Sequence, residues 1–333
     1  MTKIAVIGAG SWGTTFAKVL ADAGNEITLW ARREDITEEI NDTHRNGDYL
    51  PGINLPHNLR ATSNVAEALQ GAELVFLAVP SQSLRGNLTE WGAHLPKDAI
   101  LVSLMKGVER DTGLRMSEVI AEATGFPSSQ IAVVSGPNLA TEIAAQQPAA
   151  SVAASSNRDT AIRVAEVSSN DYFTTFTNND VIGTEFGGIL KNLIAVAIGI
   201  VNGVGYGENT KASIMTRGLA EISRFAVAYG AQPNTMIGLA GLGDLIATSE
   251  SPLSRNHKAG EMLGRGYSIR EVIKRMSQTA EGLASVKPIL ALATEKNIAM
   301  PIVEQVNAVL EGRMDPRDIA PHLTHETDGP VKE

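Results

Sequence analysis

The chain has 333 residues, 43% of them hydrophobic and 20% charged, a composition that suits a globular protein of two domains and excludes a disordered one. A formal net charge of −9 argues against a protein that coats a nucleic-acid backbone, while leaving room for a small anion in a local basic pocket. The absence of cysteine rules out disulfides, thiolate metal sites and a cysteine nucleophile, and fits a reducing, cytoplasmic setting.

The first half alternates short apolar runs with helical patterns. Strands are expected at 3–8, 26–30, 59–63, 74–79, 100–105, 131–136 and 149–155, with a last strand, at a sheet edge, at 172–177. Helices are expected between most of them, near 12–24, 33–45, 64–70, 82–93, 114–123, 138–146 and 158–169. Strands that are apolar throughout are buried on both faces, and their alternation with helices predicts a doubly wound parallel sheet. "KIAVIG" already reads as a buried strand from Lys3, so no targeting leader is expected. After about residue 180 no strand pattern remains. Helices are expected at 183–203, 210–229, 255–264, 268–276, 280–294, 301–311 and 316–320. Ser268 with Glu271 forms a capping box, and Gly230, Gly264 and Gly312 mark helix ends.

"GAGSWG" matches G-x-G-x-x-G at Gly8, Gly10 and Gly13, after an apolar strand and at the opening of a helix. That context suits a dinucleotide: a tight turn, a close backbone approach to the pyrophosphate, and close helix packing. The expected fold is therefore α/β. A Rossmann-type doubly wound sheet covers 1–180, an all-helical domain covers 181–323, and a mobile tail covers 324–333. Beyond the second strand, where NAD sites carry an acid, stand Arg32 and Arg33. Two guanidiniums suit a 2′-phosphate, which favours NADP(H) with NAD(H) also usable; the alternative is a pair of solvated charges at a helix start.

"GGILKNLIAVAIGIVNGV" (187–204) places Lys191 inside an apolar helix. Nine apolar residues lie between Asn192 and Asn202, against about 20 for a membrane span, so a core helix is expected. Lys191 shares a helical face with Ala195, Ile198 and Asn202. Two roles stand at this point: a lysine buried with a partner and a task, or one that snorkels to water. "GLAGLGDLIATSESPLSRNHKAG" (238–260) offers flexible glycines, a single Asp244, and Ser254, Arg255 and Asn256 at a helix start. A guanidinium, an amide and helix N-terminal N–H groups suit a phosphate monoester, although a Ser cap with a surface Arg is equally ordinary. Lys106 follows the fifth strand, and Gly136 and Asn138 follow the sixth, at strand ends where open α/β sheets bind ligands.

Together "GAGSWGT", "YLPGI", "MKGVE", "SGPNLA", "GGILKNLIAVAIGIVNG", "NTKASIMTRGLAEISR", "GLAGLGDL" and "SRN" resemble bacterial NAD(P)-dependent glycerol-3-phosphate dehydrogenase along nearly the whole chain. The resemblance implies reduction of dihydroxyacetone phosphate to sn-glycerol 3-phosphate for phospholipid synthesis, by a homodimer. It implies Lys191 as the acid/base, oriented by Asp244 with help from Thr248. Lys106 would touch the substrate, with Gly136 and Asn138 beside it, while Ser254, Arg255 and Asn256 hold its phosphate. Ser11, Trp12, Arg32, Arg33, Tyr49, Lys106, Ala140, Arg255, Thr279 and Glu281 would line the cofactor. Three places depart from the bacterial pattern: Asn138 where Ser is usual, Ile189 where Ala or Thr is common, and Thr279–Ala280 in place of two valines.

Other two-domain dehydrogenases, acting on a β-hydroxy acid or a nucleotide sugar, share this layout, and so would a cofactor-sensing protein without turnover. The first bind a carboxylate or diphosphate rather than a monoester, and the second has no use for a buried lysine beside an acid. No metal is expected, since the only close histidine pair, His322 and His325, makes an incomplete site.

Overall fold

A computed structural model describes residues 1–276 and 281–319, the side chain of Glu281 excepted. The tail expected over 324–333, with His322, His325, Thr279 and Ala280, lies outside them. The chain divides into two compact units, the first ending at Glu185 and the second beginning at Phe186.

The first unit holds eight strands: β1 (Lys3–Ile7), β2 (Glu26–Trp30), β3 (Leu59–Thr62), β4 (Leu74–Leu77), β5 (Ile100–Ser103), β6 (Ile131–Ser135), β7 (Ala149–Ala154) and β8 (Phe173–Asn178). They form one sheet in the order β3-β2-β1-β4-β5-β6-β7-β8. Its α-helices are α1 (Ser11–Asp22), α2 (Glu34–Thr43), α3 (Val65–Leu69), α4 (Leu84–Trp91), α5 (Met116–Thr124), α6 (Ala140–Ala144) and α7 (Arg158–Ser168). The apolar strands are apolar because both faces are covered. On one face Ile4 and Val6 pack with Phe16, Leu20, Phe76 and Phe173; on the other Ala5 and Ile7 pack with Leu84, Leu88, Trp91 and Ile120. Phe16 centres the first cluster, with ring centroids 5.3 Å from Phe76 and 5.9 Å from Phe173.

One strand departs from the parallel expectation. β7 runs antiparallel to β6, and β8 then runs parallel to β7. A parallel crossover needs a helix that carries the chain back along the sheet. The five residues of α6 rise only about 7.5 Å, far less than the roughly 20 Å of a six-residue strand. The chain returns as the strand itself. β8 closes the edge, and its burial alternates, with Phe173 and Thr175 inward and Thr174 and Phe176 outward.

The helix α8 (Val181–Val204) is followed by α9 (Glu208–Ala228), α10 (Pro233–Met236), α11 (Asp244–Glu250), α12 (Arg255–Gly264), α13 (Ile269–Arg275), α14 (Glu281–Glu295) and α15 (Pro301–Leu310). At 24 residues α8 is long and apolar enough to cross a membrane, which corrects the estimate from nine apolar residues. Yet 83% of its most apolar 18-residue window is buried inside protein, so the helix is part of a protein core.

Glycines decide how α8 packs. A Cβ on Gly199 would lie 2.2 Å from the His257 carbonyl oxygen, and one on Gly260 2.1 Å from that of Val196. Gly203 and Gly264 repeat the arrangement one turn on, at 2.2 Å from Glu261 O and from Ile200 O. Backbones of α8 and α12 thus touch. Gly264 is a contact residue within α12, not its cap, and Gly266 (φ 90°) makes the left-handed turn. Gly230 and Gly312 do end helices, and Ser268 and Glu271 do form the capping box. Of the glycines at 238–243, Gly241 is likewise a contact residue. Leu239–Gly243 is a wide helical turn running into α11, and a Cβ on Gly241 would lie 2.1 Å from Met236 O.

Glu221 of α9 supplies a pH-dependent element. It is 1% exposed and accepts the N–H groups of Ile302 (3.0 Å) and Val303 (3.1 Å), capping α15. Burial pushes its carboxyl from 4.5 up to about 7. The folded chain therefore keeps a proton that the unfolded chain releases, so Glu221 lowers stability as pH rises from about 4.5 to 7. The expected loss across that window is about 2–3 kcal/mol. Urea unfolding at several pH values should show it in the wild type, and Glu221→Gln should flatten that slope even if it lowers stability at every pH.

Candidate active site

In the first unit the glycine loop joins β1 to α1. Gly8 has φ 120°, and a Cβ there would lie 2.6 Å from Ala78 O. A Cβ on Gly13 would lie 1.9 Å from Gly8 O. Both are required by the turn itself. Gly10 differs: a Cβ there would meet nothing within 4 Å, and no side chain caps the helix that starts after it. Open space above uncapped N–H groups, starting at Ser11, is the cradle a pyrophosphate needs, so the loop fits a dinucleotide.

The remaining predicted cofactor residues of this unit are placed around that loop in different ways. Trp12 leans its ring on Phe16 (5.3 Å), and its buried Nε1 has no hydrogen-bond partner. Tyr49 packs against the sheet core from the loop after α2. Ala140 opens α6, and its carbonyl accepts the Thr15 hydroxyl of α1 at 3.2 Å. Arg32 is exposed, with no hydrogen bond or ion pair to the described residues. Arg33 is held by two carboxylates, Asp35 and Asp48, the latter at 2.8 Å.

At the ends of the neighbouring strands β5 and β6, Lys106 Nζ donates to the Gly136 carbonyl at 3.1 Å. Asn138 donates its amide N–H to Ser151 Oγ (3.3 Å), while its buried Oδ1 has no partner. Lys106 and Gly136 thus meet, and Asn138, two residues on, turns to Ser151 of β7.

In the second unit Lys191 does not snorkel. It is 5% exposed, and its ammonium donates to Asp244 Oδ1 at 2.8 Å and to Thr248 Oγ1. Thr248 in turn donates to Asp244 Oδ1 at 3.2 Å. Asp244 and Thr248 stand one turn apart on α11, so one helix face presents both to the lysine. A buried cation, a buried anion and a hydroxyl are thus bonded to one another.

At the start of α12, Ser254 is the N-cap and accepts the His257 N–H at 3.2 Å; Arg255 is exposed. The side chain of Asn256 is engaged within the unit. It donates to Asn192 Oδ1 (2.8 Å) and accepts the Gly282 N–H (3.0 Å). Asn256 thereby ties α12 to α8 next to Lys191 and to the start of α14. Glu281 opens that helix, its side chain outside the described residues, as is Thr279.

Two positioning residues escaped the sequence pattern. Asn46 is fully buried and donates to Ala9 O (3.0 Å) and Thr14 Oγ1 (2.9 Å), clamping the glycine loop from a segment 37 residues away. Asn192, beside Lys191 in sequence, orients Asn256. Only the second had a signal, its adjacency to the lysine. Among the described residues no group of three or more His, Cys, Asp or Glu side chains could hold a metal ion.

Comparison with known proteins agrees along the chain. The model of the NAD-dependent glycerol-3-phosphate dehydrogenase N-terminus matches residues 3–161, and that of its C-terminus residues 180–321. The chain is 63% identical over 323 residues to glycerol-3-phosphate dehydrogenase (NAD(P)+) of Leifsonia xyli, covering 97% of this chain and 88% of the relative. It is 55% identical to the enzyme of that name from Streptomyces griseus, covering 93% of each. The crystal structure of glycerol-3-phosphate dehydrogenase from Coxiella burnetii matches at 34% identity with a TM-score of 0.91, covering 98% of this chain and 99% of that one. With its glycine cradle and its buried lysine, the chain belongs to the NAD(P)-dependent glycerol-3-phosphate dehydrogenase family.

Proposed function

We propose that the protein reduces dihydroxyacetone phosphate to sn-glycerol 3-phosphate, reversibly, in the cytoplasm, with Lys191 as the acid/base. The observation that carries this proposal is the buried set of Lys191, Asp244 and Thr248. Bound NAD(P)H supplies the hydride. Lys191, as ammonium, hydrogen-bonds the ketone oxygen, stabilises the developing alkoxide and delivers its proton. In the reverse direction the neutral amine accepts the alcohol proton. Asp244 opposes the desolvation that favours neutral lysine, and Thr248 fixes the direction of the ammonium.

Arg255 and the N-terminus of α12 suit the substrate phosphate, with Ser254 beside them and Asn256 bracing the helix against α8. Lys106, with Gly136 and Asn138, offers a second polar cluster for substrate, and Lys106 also for cofactor. Remote binding of the phosphate holds the carbonyl in position for transfer. Ser11, Trp12, Arg32, Arg33, Tyr49, Ala140, Thr279 and Glu281 complete the proposed cofactor surface, with NADP(H) favoured because Arg32 is available for a 2′-phosphate. Exposed Ile237, Ile246 and Leu253 on the helical unit support a homodimer, which light scattering would detect.

The deciding assay follows NADPH and NADH oxidation with dihydroxyacetone phosphate and with unphosphorylated dihydroxyacetone. Turnover of the first, with kcat/KM lower by about 100-fold or more for the second, is the expected result. Equal rates on the two ketones would overturn the proposed phosphate site.

A further inference from the structure

The dinucleotide-binding unit carries an acid that the sequence pattern does not announce. NAD sites place a carboxylate at the end of the second strand, where it takes the ribose hydroxyls. Here that stretch reads Trp30, Ala31, Arg32, Arg33. In space, however, a carboxylate is present. Asp48, from the loop after α2, lies 2.8 Å from Arg33 Nη1, while Asp35 takes Nε of the same guanidinium at 3.0 Å and also its Nη2.

Asp48 is exposed, but its loop is anchored. Asn46, two residues earlier, is fully buried and bonded to Ala9 of the glycine loop and Thr14 of α1. Leu50, two residues later, is buried and donates its N–H to the Asn46 carbonyl at 2.8 Å. The loop that presents Asp48 is thus tied to the loop that cradles the pyrophosphate.

We infer that Asp48 is a cofactor-selectivity residue, competing with a 2′-phosphate for Arg33 and offering a carboxylate to the ribose hydroxyls of NAD(H). This rests on the proposal that Arg32 and Arg33 face the adenine ribose. The single positive charge of Arg33 already faces two carboxylates, Asp35 and Asp48, so a dianionic phosphate gains little from it until a carboxylate yields. The Arg33–Asp48 pair is about half exposed on both sides, at 47% and 56%, and such pairs open readily. Asp48 therefore tunes the choice between dinucleotides rather than blocking either. Repulsion between a carboxylate and a phosphate several ångströms apart, screened by water and salt, corresponds to about three- to tenfold in affinity.

Isothermal titration with 2′,5′-ADP and with 5′-AMP, at one ionic strength, reads this without turnover. Asp48→Asn should tighten 2′,5′-ADP about three- to tenfold while leaving 5′-AMP unchanged or weaker. Asp98→Asn, which removes an exposed charge elsewhere, should leave the ratio unaltered. The double substitution Arg32→Ala, Arg33→Ala should abolish the preference for the 2′-phosphate. If that double variant loses the preference but Asp48→Asn matches the wild type, the role of Asp48 is refuted while the arginine site stands. If the arginine variant keeps the wild-type preference, the arginine site itself is wrong and the inference falls with it.

Discussion

Lys191→Ala should reduce turnover by roughly three orders of magnitude or more, because it removes both the proton donor and the charge that stabilises the alkoxide. General acid catalysis contributes about 10²–10⁴-fold, and loss of one oxyanion donor about 10²–10³-fold; the two overlap in one ammonium, so they do not simply multiply. NADPH affinity should stay close to wild type, because the proposed role of Lys191 is at the ketone oxygen, while the pyrophosphate cradle is the glycine loop. Measuring kcat by NADPH oxidation, together with NADPH binding and far-UV circular dichroism, separates lost chemistry from lost structure. Turnover within tenfold of wild type would remove Lys191 from the mechanism.

Asp244→Ala should be the most destabilising of the polar substitutions considered. It leaves the Lys191 ammonium 5% exposed with its carboxylate partner gone. Breaking a buried pair in this way typically costs about 3–5 kcal/mol, most of it the penalty of an uncompensated buried charge. A double substitution, Lys191→Met with Asp244→Leu, removes both charges and should recover much of that loss while remaining inactive. Urea unfolding of the wild type, the single variant and the double variant checks the sequence of stabilities. A loss below about 1 kcal/mol in Asp244→Ala would show that the Lys191 ammonium does not depend on this carboxylate.

The residues differ in how openly they announce their roles. The central strands β1, β4, β5 and β6 were legible because a strand covered on both faces must be a run of apolar residues, and such a run is a local signal. Gly8, Gly10 and Gly13 were legible because a fixed spacing after a strand has one mechanical meaning. The direction of β7 was not, since it depends on whether the short helix α6 can carry the chain back across the sheet. Gly264 reads as a helix end in sequence, yet it, like Gly199, Gly203 and Gly260, is present because another backbone leaves no room for a Cβ. Asn256 reads as a phosphate ligand, while the partners of its amide, a residue 64 positions earlier and the start of α14, left no local trace.

By itself the sequence determined the two-part α/β and helical layout, the dinucleotide loop, and which lysine to suspect, because periodicity and spacing are properties of neighbouring residues. Tertiary structure decided what that lysine touches. The bond from Lys191 to Asp244 joins positions 53 apart, and the clamp of Asn46 on the glycine loop spans 37. No local pattern records such distances. Desolvation makes them consequential, since a buried charge or amide must find its partner wherever the fold brings one near.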